Sequence, residues 1–185
     1  MAHNRITTAA IGTTLIFIAA SINSAAFAKS QALPGPPPWT AKAVKSIAVP
    51  EVYYSQWYKA ENQKTCALLV LSTGDKMRDA KPRRAEYSGG WAVAFDTPKI
   101  RSIYGIAGTG SVALARDDSK TFPNTIRWSD GSYASYGLKG GTGPGYLAYV
   151  TVAGQGCKYN VWSQISQDHL VSLLNGLRFA QRAGR

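Results

Sequence analysis

Histidine is almost missing from this chain. There are two in 185 residues, His3 and His169, too few for a multi-histidine metal centre. Cysteine is limited to Cys66 and Cys157, and no Cys or His stands near either at ligand spacing, which argues against a zinc site. Acidic side chains are scarce, with 10 Asp and Glu against 21 Lys and Arg. No G-x-S-x-G elbow occurs, so the α/β-hydrolase signature is excluded. Beyond residue 28 no apolar run approaches the ~20 residues that a bilayer span needs. No internal repeat suggests a solenoid.

The first 28 residues read as a secretory leader. His3 and Arg5 give a weakly basic start, AAIGTTLIFIAASI is an apolar core, and Ala26-Phe27-Ala28 is a small-x-small cleavage site. Residues 29–40, with the run KSQALPGPPP, read as a proline-rich linker that favours extended polyproline conformation. Residues 41–185 are the length of one domain. The formal net charge is +11, and loss of Arg5 with the leader leaves +10. That excess favours anionic partners such as a polysaccharide, lipid headgroups, nucleic acid or an acidic protein. In an exported chain two cysteines imply one disulfide. The long loop it would close is worth about 4–5 kcal/mol in a chain-entropy model.

Residues 44–49 are weakly strand-like and stop at Pro50. Residues 51–60 (EVYYSQWYKA) suit a strand or a helical turn. Residues 65–72 (TCALLVLS) have the length and apolarity of a buried strand. These two segments are read as a hairpin, with Cys66 on a central strand. Residues 73–88 are expected to be a polar loop in which Pro82 forbids regular structure. Residues 89–96 alternate as a half-buried strand. Residues 100–107 form another strand, broken by Gly108-Thr109-Gly110. Residues 125–138 form a hairpin around Asp130-Gly131.

The strongest structural signal is residues 145–182. Two apolar runs flank Gly154-Gln155-Gly156, and an amphipathic helix follows. Ser166 is its N-cap and Asp168 places a carboxylate in the first turn. Leu170, Leu173, Leu174 and Leu177 keep helical spacing, with Arg178 and Arg182 towards the C-terminal end. A single leucine stripe needs an apolar surface to cover. The expected fold is therefore α+β: an antiparallel sheet of about five to seven strands, the C-terminal helix on one face, and a Cys66–Cys157 bond.

Chemistry is thinly represented. The run from Gly108 to Ala113 fits a loose G-x-G-x-x-A pattern, but Asp117-Asp118 and a proline loop follow where a helix would be needed. In Gly141-Thr142-Gly143-Pro144-Gly145, Pro144 removes an amide donor that a phosphate would need. His169 lies beside Ser166 and Asp168, which cap the helix more naturally than they build a hydrolase. Glu86, Asp96, Asp117, Asp118 and Asp130 could in principle supply a carboxylate pair across a cleft. No catalytic residue, cofactor or metal is assigned.

The candidate binding residues are Lys76, Arg78, Lys81, Arg83 and Arg84, followed by Tyr87 and Trp91. Basic groups beside aromatics can hold anions while a ring stacks on the ligand. Members of the Tyr and Trp runs that do not enter the core could extend this into a glycan- or peptide-binding face. The composition thus predicts an exported, periplasmic or extracellular, non-enzymatic envelope protein whose partner is an anionic polymer, a glycan or another envelope protein. Nucleic acid is not expected, nor is a membrane span once the leader is removed. The alternatives are a small exported carboxylate-dependent hydrolase, and an accessory or inhibitor protein that docks through an edge strand.

Overall fold

The computed structural model describes residues 34–72, 79–112, 120–140 and 145–181. Residues 1–33, Lys76, Arg78, Asp117, Asp118 and Arg182 lie outside the described residues.

The element order is α1 (Glu51–Trp57), β1 (Leu69–Leu71), β2 (Lys81–Ala85), β3 (Trp91–Asp96), β4 (Tyr104–Val112), β5 (Asn124–Arg127), β6 (Tyr133–Leu138), β7 (Tyr146–Thr151), β8 (Cys157–Ser163), α2 (Gln167–Asn175) and β9 (Leu177–Phe179). Seven strands form one antiparallel sheet in the order β2-β3-β4-β8-β7-β6-β5, and β1 pairs with β9 in a second, two-stranded sheet. The expected α+β fold with its C-terminal helix and disulfide is what the chain adopts.

Strand alternation sorts the large sheet into two faces. The inner face presents Trp91, Val93 and Phe95 from β3, Tyr104 and Ile106 from β4, Tyr159 and Val161 from β8, and Ala148 and Val150 from β7, all in one buried core. Helix α1 packs against β3, α2 against β8 and β7, and β1 against β4. The helices and the small sheet therefore form one layer on the inner face.

Helix α2 begins where capping chemistry places it. The Ser166 hydroxyl accepts the His169 N–H at 3.0 Å, and Asp168 occupies the first turn. Leu170, Leu173 and Leu174 are buried. The helix is shorter than its leucine spacing implies. It stops at Asn175, with Gly176 as C-cap donating to three carbonyls. Leu177 is buried as the first residue of β9, so Arg178 is a strand residue and not a helix terminus. Leucine spacing cannot distinguish i+7 on a helix from a strand that returns to the same core.

Several local expectations change in the same way. Residues 51–57 are helical, so no hairpin joins them to 65–72. Within 65–72 only Leu69–Leu71 is a strand, in the small sheet, and Cys66 precedes it. The stretch 46–48 is a 3-10 turn instead of a strand. Pro82 lies inside β2, opposite Phe95. This is allowed because β2 is the sheet's edge, where a missing N–H breaks no ladder. Strand β4 runs through Gly108-Thr109-Gly110 with a register shift before Val112, so the glycines mark an irregularity within the strand and not its end. The 125–138 hairpin forms around a turn in which Gly131 has φ +88° and Asp130 accepts both the N–H and the hydroxyl of Ser132 at 2.9 Å. The end of the proline-rich stretch is docked. Trp39 meets Trp128 edge-on at 4.9 Å, and Ser129 N–H bonds to the Gly35 carbonyl at 3.0 Å.

Cys66 and Cys157 are bonded across 91 positions, with Cα atoms 5.4 Å apart. The bond ties the segment before β1 to the first residue of β8, and so ties the small-sheet layer to the large sheet. Native protein should show no titratable thiol, because both cysteines are bonded. Cys157→Ser should cost about 2–5 kcal/mol of unfolding free energy in urea melts. Melts with and without reductant that superimpose would contradict this.

Candidate functional site

The outer face of the large sheet has an uneven composition that follows from the register. Towards β3 and β4 it is made of small residues: Ala92, Ala94, Gly105 and Ala107. From β8 onward large side chains take over. Trp162 stands beside Leu147, Asn160 beside Tyr149, and Tyr149 beside Ser135, with Tyr133 on the same strand as Ser135. None of Leu147, Tyr149, Trp162 or Tyr133 belongs to the inner core. The Trp162 ring lies across Gly105. A Cβ on Gly105 would sit 2.2 Å from a Trp162 ring carbon and 2.6 Å from the Val93 carbonyl oxygen, so this crossing requires glycine.

Trp162 is held at its edge as well. Its indole N–H donates to the Ser102 carbonyl at 3.2 Å, and Gln164 Nε2 donates to the same oxygen at 2.9 Å. Ser102 has φ 54°, a left-handed backbone uncommon for serine. It is fixed from three sides: its N–H bonds to Asp96 Oδ1 at 2.7 Å, its Oγ accepts from Arg83 Nη2 at 2.6 Å, and Trp162 holds its carbonyl. Arg83 Nε bonds to Asp96 Oδ2 at 2.6 Å. Partial burial acts to raise the Asp96 pKa. The Ser102 N–H, then the Arg83 hydrogen bond and charge, then Arg101 act against it, and the net shift is downward.

Further along the face, Asn160 Nδ2 donates to the Tyr87 hydroxyl oxygen at 2.6 Å. Burial, then the neighbouring Tyr149, push the Tyr87 phenol above its ordinary value, and the Asn160 bond offsets part of this. Tyr87 therefore stays neutral at physiological pH and keeps its hydroxyl proton for donation. Phe122 packs on Tyr149 with ring centroids 5.4 Å apart. Arg127 lies over the Tyr133 ring at 5.7 Å, in cation–π range. Lys158 is the other strand cation at this end of the face among the described residues, and its cross-strand neighbour is Thr151. Asp96, already paired, is the one carboxylate among the described strand residues of the face.

The basic and aromatic residues singled out from sequence do not form one site. Arg83 is committed to Asp96 and Ser102. Arg84 is in register with Val93, hence on the opposite face at the edge, where it makes a loose 3.3 Å pair with Glu86. Lys81 is exposed and opposite Asp96. Trp91 is 1% exposed in the inner core, so it cannot stack on a ligand. Tyr87, 41% exposed, does reach the aromatic face. Sequence reasoning names Tyr133, Tyr149 and Trp162 with Trp128, Tyr136, Tyr146 and Tyr159 as rings of which the non-core members could form such a face, but it does not separate the two sets, and it missed Arg127. Alternation within β6, β7 and β8 was the available signal, but it needed the strand order.

Of the candidate carboxylates, the described three, Glu86, Asp96 and Asp130, do not converge. Glu86 follows β2 and Asp96 ends β3, with about 13 Å of strand between Ala92 and Asp96. Asp130 lies in the turn between β5 and β6 at the far edge of the sheet. Ser163 Oγ lies 2.9 Å from His169 Nδ1, a pairing that sequence reasoning did not find. Ser163 is fully buried and also accepts the Ile165 N–H at 3.1 Å, and the imidazole meets Tyr104 edge-on at 5.3 Å. A nucleophile needs access to substrate, so this pair latches α2 to β8.

No family model, no curated protein and no solved structure matches the chain.

Asp96→Asn should release Ser102 and shift the indole N–H resonance of Trp162 in proton–nitrogen spectra. In wild type the same resonance should hold steady from neutral pH downward and move only as pH falls below the ordinary carboxylate value of 3.8. The sign follows from the lowered pKa: the stabilisation exists while Asp96 is ionised and is lost as it protonates. Gly105→Ala should cost about 1–3 kcal/mol through overpacking. A neutral Gly105→Ala would show that Trp162 does not lie where described.

Proposed function

We propose that the chain is an exported, non-enzymatic protein that holds an anionic glycan on the outer face of its large sheet. The observation that carries this reading is the row Trp162, Tyr149, Tyr133 with Tyr87 beside it, edged by Arg127 and Lys158 on a face whose one strand carboxylate is neutralised. Rings pack on the apolar faces of sugars, and the Tyr87 and Asn160 polar groups between them suit hydroxyls. The cations add attraction for carboxylate or sulfate groups. The net charge of +10 left after loss of Arg5 with the leader raises the local concentration of such a polymer. Export rests on residues 1–28, and the disulfide suits an oxidising compartment. The hydrolase alternative is disfavoured because Glu86, Asp96 and Asp130 stand apart on the sheet and the Ser163–His169 pair is buried.

The test is retention on an immobilised anionic polysaccharide across a salt gradient. Wild-type protein should elute late. Arg127→Gln should elute at lower salt, and Tyr149→Ala should weaken binding about tenfold. Arg84→Ala, on the opposite face, should leave retention unchanged. Loss of retention in Arg84→Ala but not in Arg127→Gln would move the site to the β2 edge and overturn this reading, as would salt-independent retention. Mature protein purified from the export compartment should begin at Lys29 by N-terminal sequencing.

A further inference from the structure

The opposite layer of the molecule carries a separate hollow. It is half open, about 380 Å³ in volume, and lies where α1, the segment before β1, the β7–β8 turn and the residues after β9 meet. Its lining residues include Tyr54, Trp57, Gln63, Lys64, Gln155 and Gln181. No carboxylate is among its lining residues.

Most of the backbone around the hollow is already satisfied. Ala67 C=O accepts the Tyr159 hydroxyl at 2.9 Å, and Leu68 C=O accepts Ala180 N–H at 2.9 Å. Gln181 N–H bonds to the Val44 carbonyl at 2.9 Å, and its carbonyl accepts the Tyr54 hydroxyl at 2.5 Å. Trp57 Nε1 donates to the Cys66 carbonyl at 2.7 Å. The rings are thus fixed by their polar ends. Gln155 is fixed too, because its Oε1 accepts Ala67 N–H at 2.8 Å, which leaves the two donors of Nε2. What the walls offer a ligand is amide side chains beside the small exposed part of two immobile aromatic residues.

We infer that this hollow is a binding site for one neutral sugar unit. A primary amide both donates and accepts, and so matches a pair of neighbouring sugar hydroxyls, whereas a charged ligand would find only Lys64. The volume lies at the small end of the range for small-molecule sites. Tyr54 and Trp57 are 8% and 6% exposed, so the apolar contact comes from the small part of each ring that lines the hollow, beside Ala67, Leu68, Phe179 and Ala180. The site is independent of the outer sheet face, and the two differ in a measurable way. Binding here is insensitive to salt, because its hydrogen bonds are between uncharged groups.

The experiment uses the full mature protein at high salt, with methyl glucoside, methyl galactoside and N-acetylglucosamine as probes and acetyl-glycine methylamide as the peptide control. Side-chain amide resonances of Gln63 and Gln155 are followed by proton–nitrogen spectroscopy. Saturable shifts of both with at least one sugar are expected, weakened at least about fivefold in Gln63→Ala. Gln63→Ala is preferred because Gln155 also caps Ala67, so Gln155→Ala risks the fold, and an unchanged melting temperature verifies the variant. The inference is overturned if no sugar gives a saturable shift, if the peptide control shifts these resonances and the sugars do not, or if Gln63→Ala binds as tightly as wild type.

Discussion

The covalent tie between the two layers is the constraint on which this structure depends. Cys66 and Cys157 meet where β4 passes beneath them, and the passage is tight. A Cβ on Gly108 would lie 2.3 Å from Trp91 Nε1 and 2.7 Å from Cys66 Sγ. Glycine at that position lets β4 run directly under the bond. Asn62 reinforces the junction, its Nδ2 donating to the carbonyls of Gly108 at 3.1 Å and Thr109 at 2.7 Å. The small sheet, α1 and the Gly154-Gln155-Gly156 turn are then registered against β8, and the hollow between them follows from that registration.

Aromatic residues are divided between two duties by strand parity. On β8, Tyr159 enters the core with its hydroxyl bonded to Ala67, while Trp162, three residues on, lies over Gly105 on the other face. On β3, Trp91 takes the inner side. The outer face has no covering helix or strand among the described residues; Trp162 crosses Gly105 there and is anchored through its indole N–H to the Ser102 carbonyl. Ser102 is the clearest sign of this anchoring. Its backbone conformation is unfavourable by itself and persists because Asp96, Arg83, Trp162 and Gln164 all bond to it.

The parts of the fold that were legible in the sequence are those set by short-range chemistry. The Ser166 cap, the Asp130-Gly131 turn, the alternation of residues 91–95 and the pairing of two lone cysteines each need only local rules. Features that depend on partners were not legible. Leu177 keeps helical spacing yet belongs to β9, because Gly176 ends the helix and β1 supplies a pairing edge. Pro82 reads as a breaker until β2 is known to be the outermost strand. Trp91 sits beside a basic stretch and reads as a ligand-stacking ring, but the β3 register turns it inward. For the same reason the candidate site moved: Tyr133, Tyr149 and Trp162 come from three separate strands, and their convergence exists only once the order β8-β7-β6 is fixed.

The central claim is that ligand contact belongs to the outer face of the seven-stranded sheet. Chemical-shift mapping with an acidic oligosaccharide at low salt tests it most directly. Saturable shifts should cluster on Tyr87, Arg127, Tyr133, Tyr149, Asn160 and Trp162, and should leave α2 and the Arg84 edge unmoved. Shifts confined to the inner layer, or no saturable shifts at all, would contradict the account.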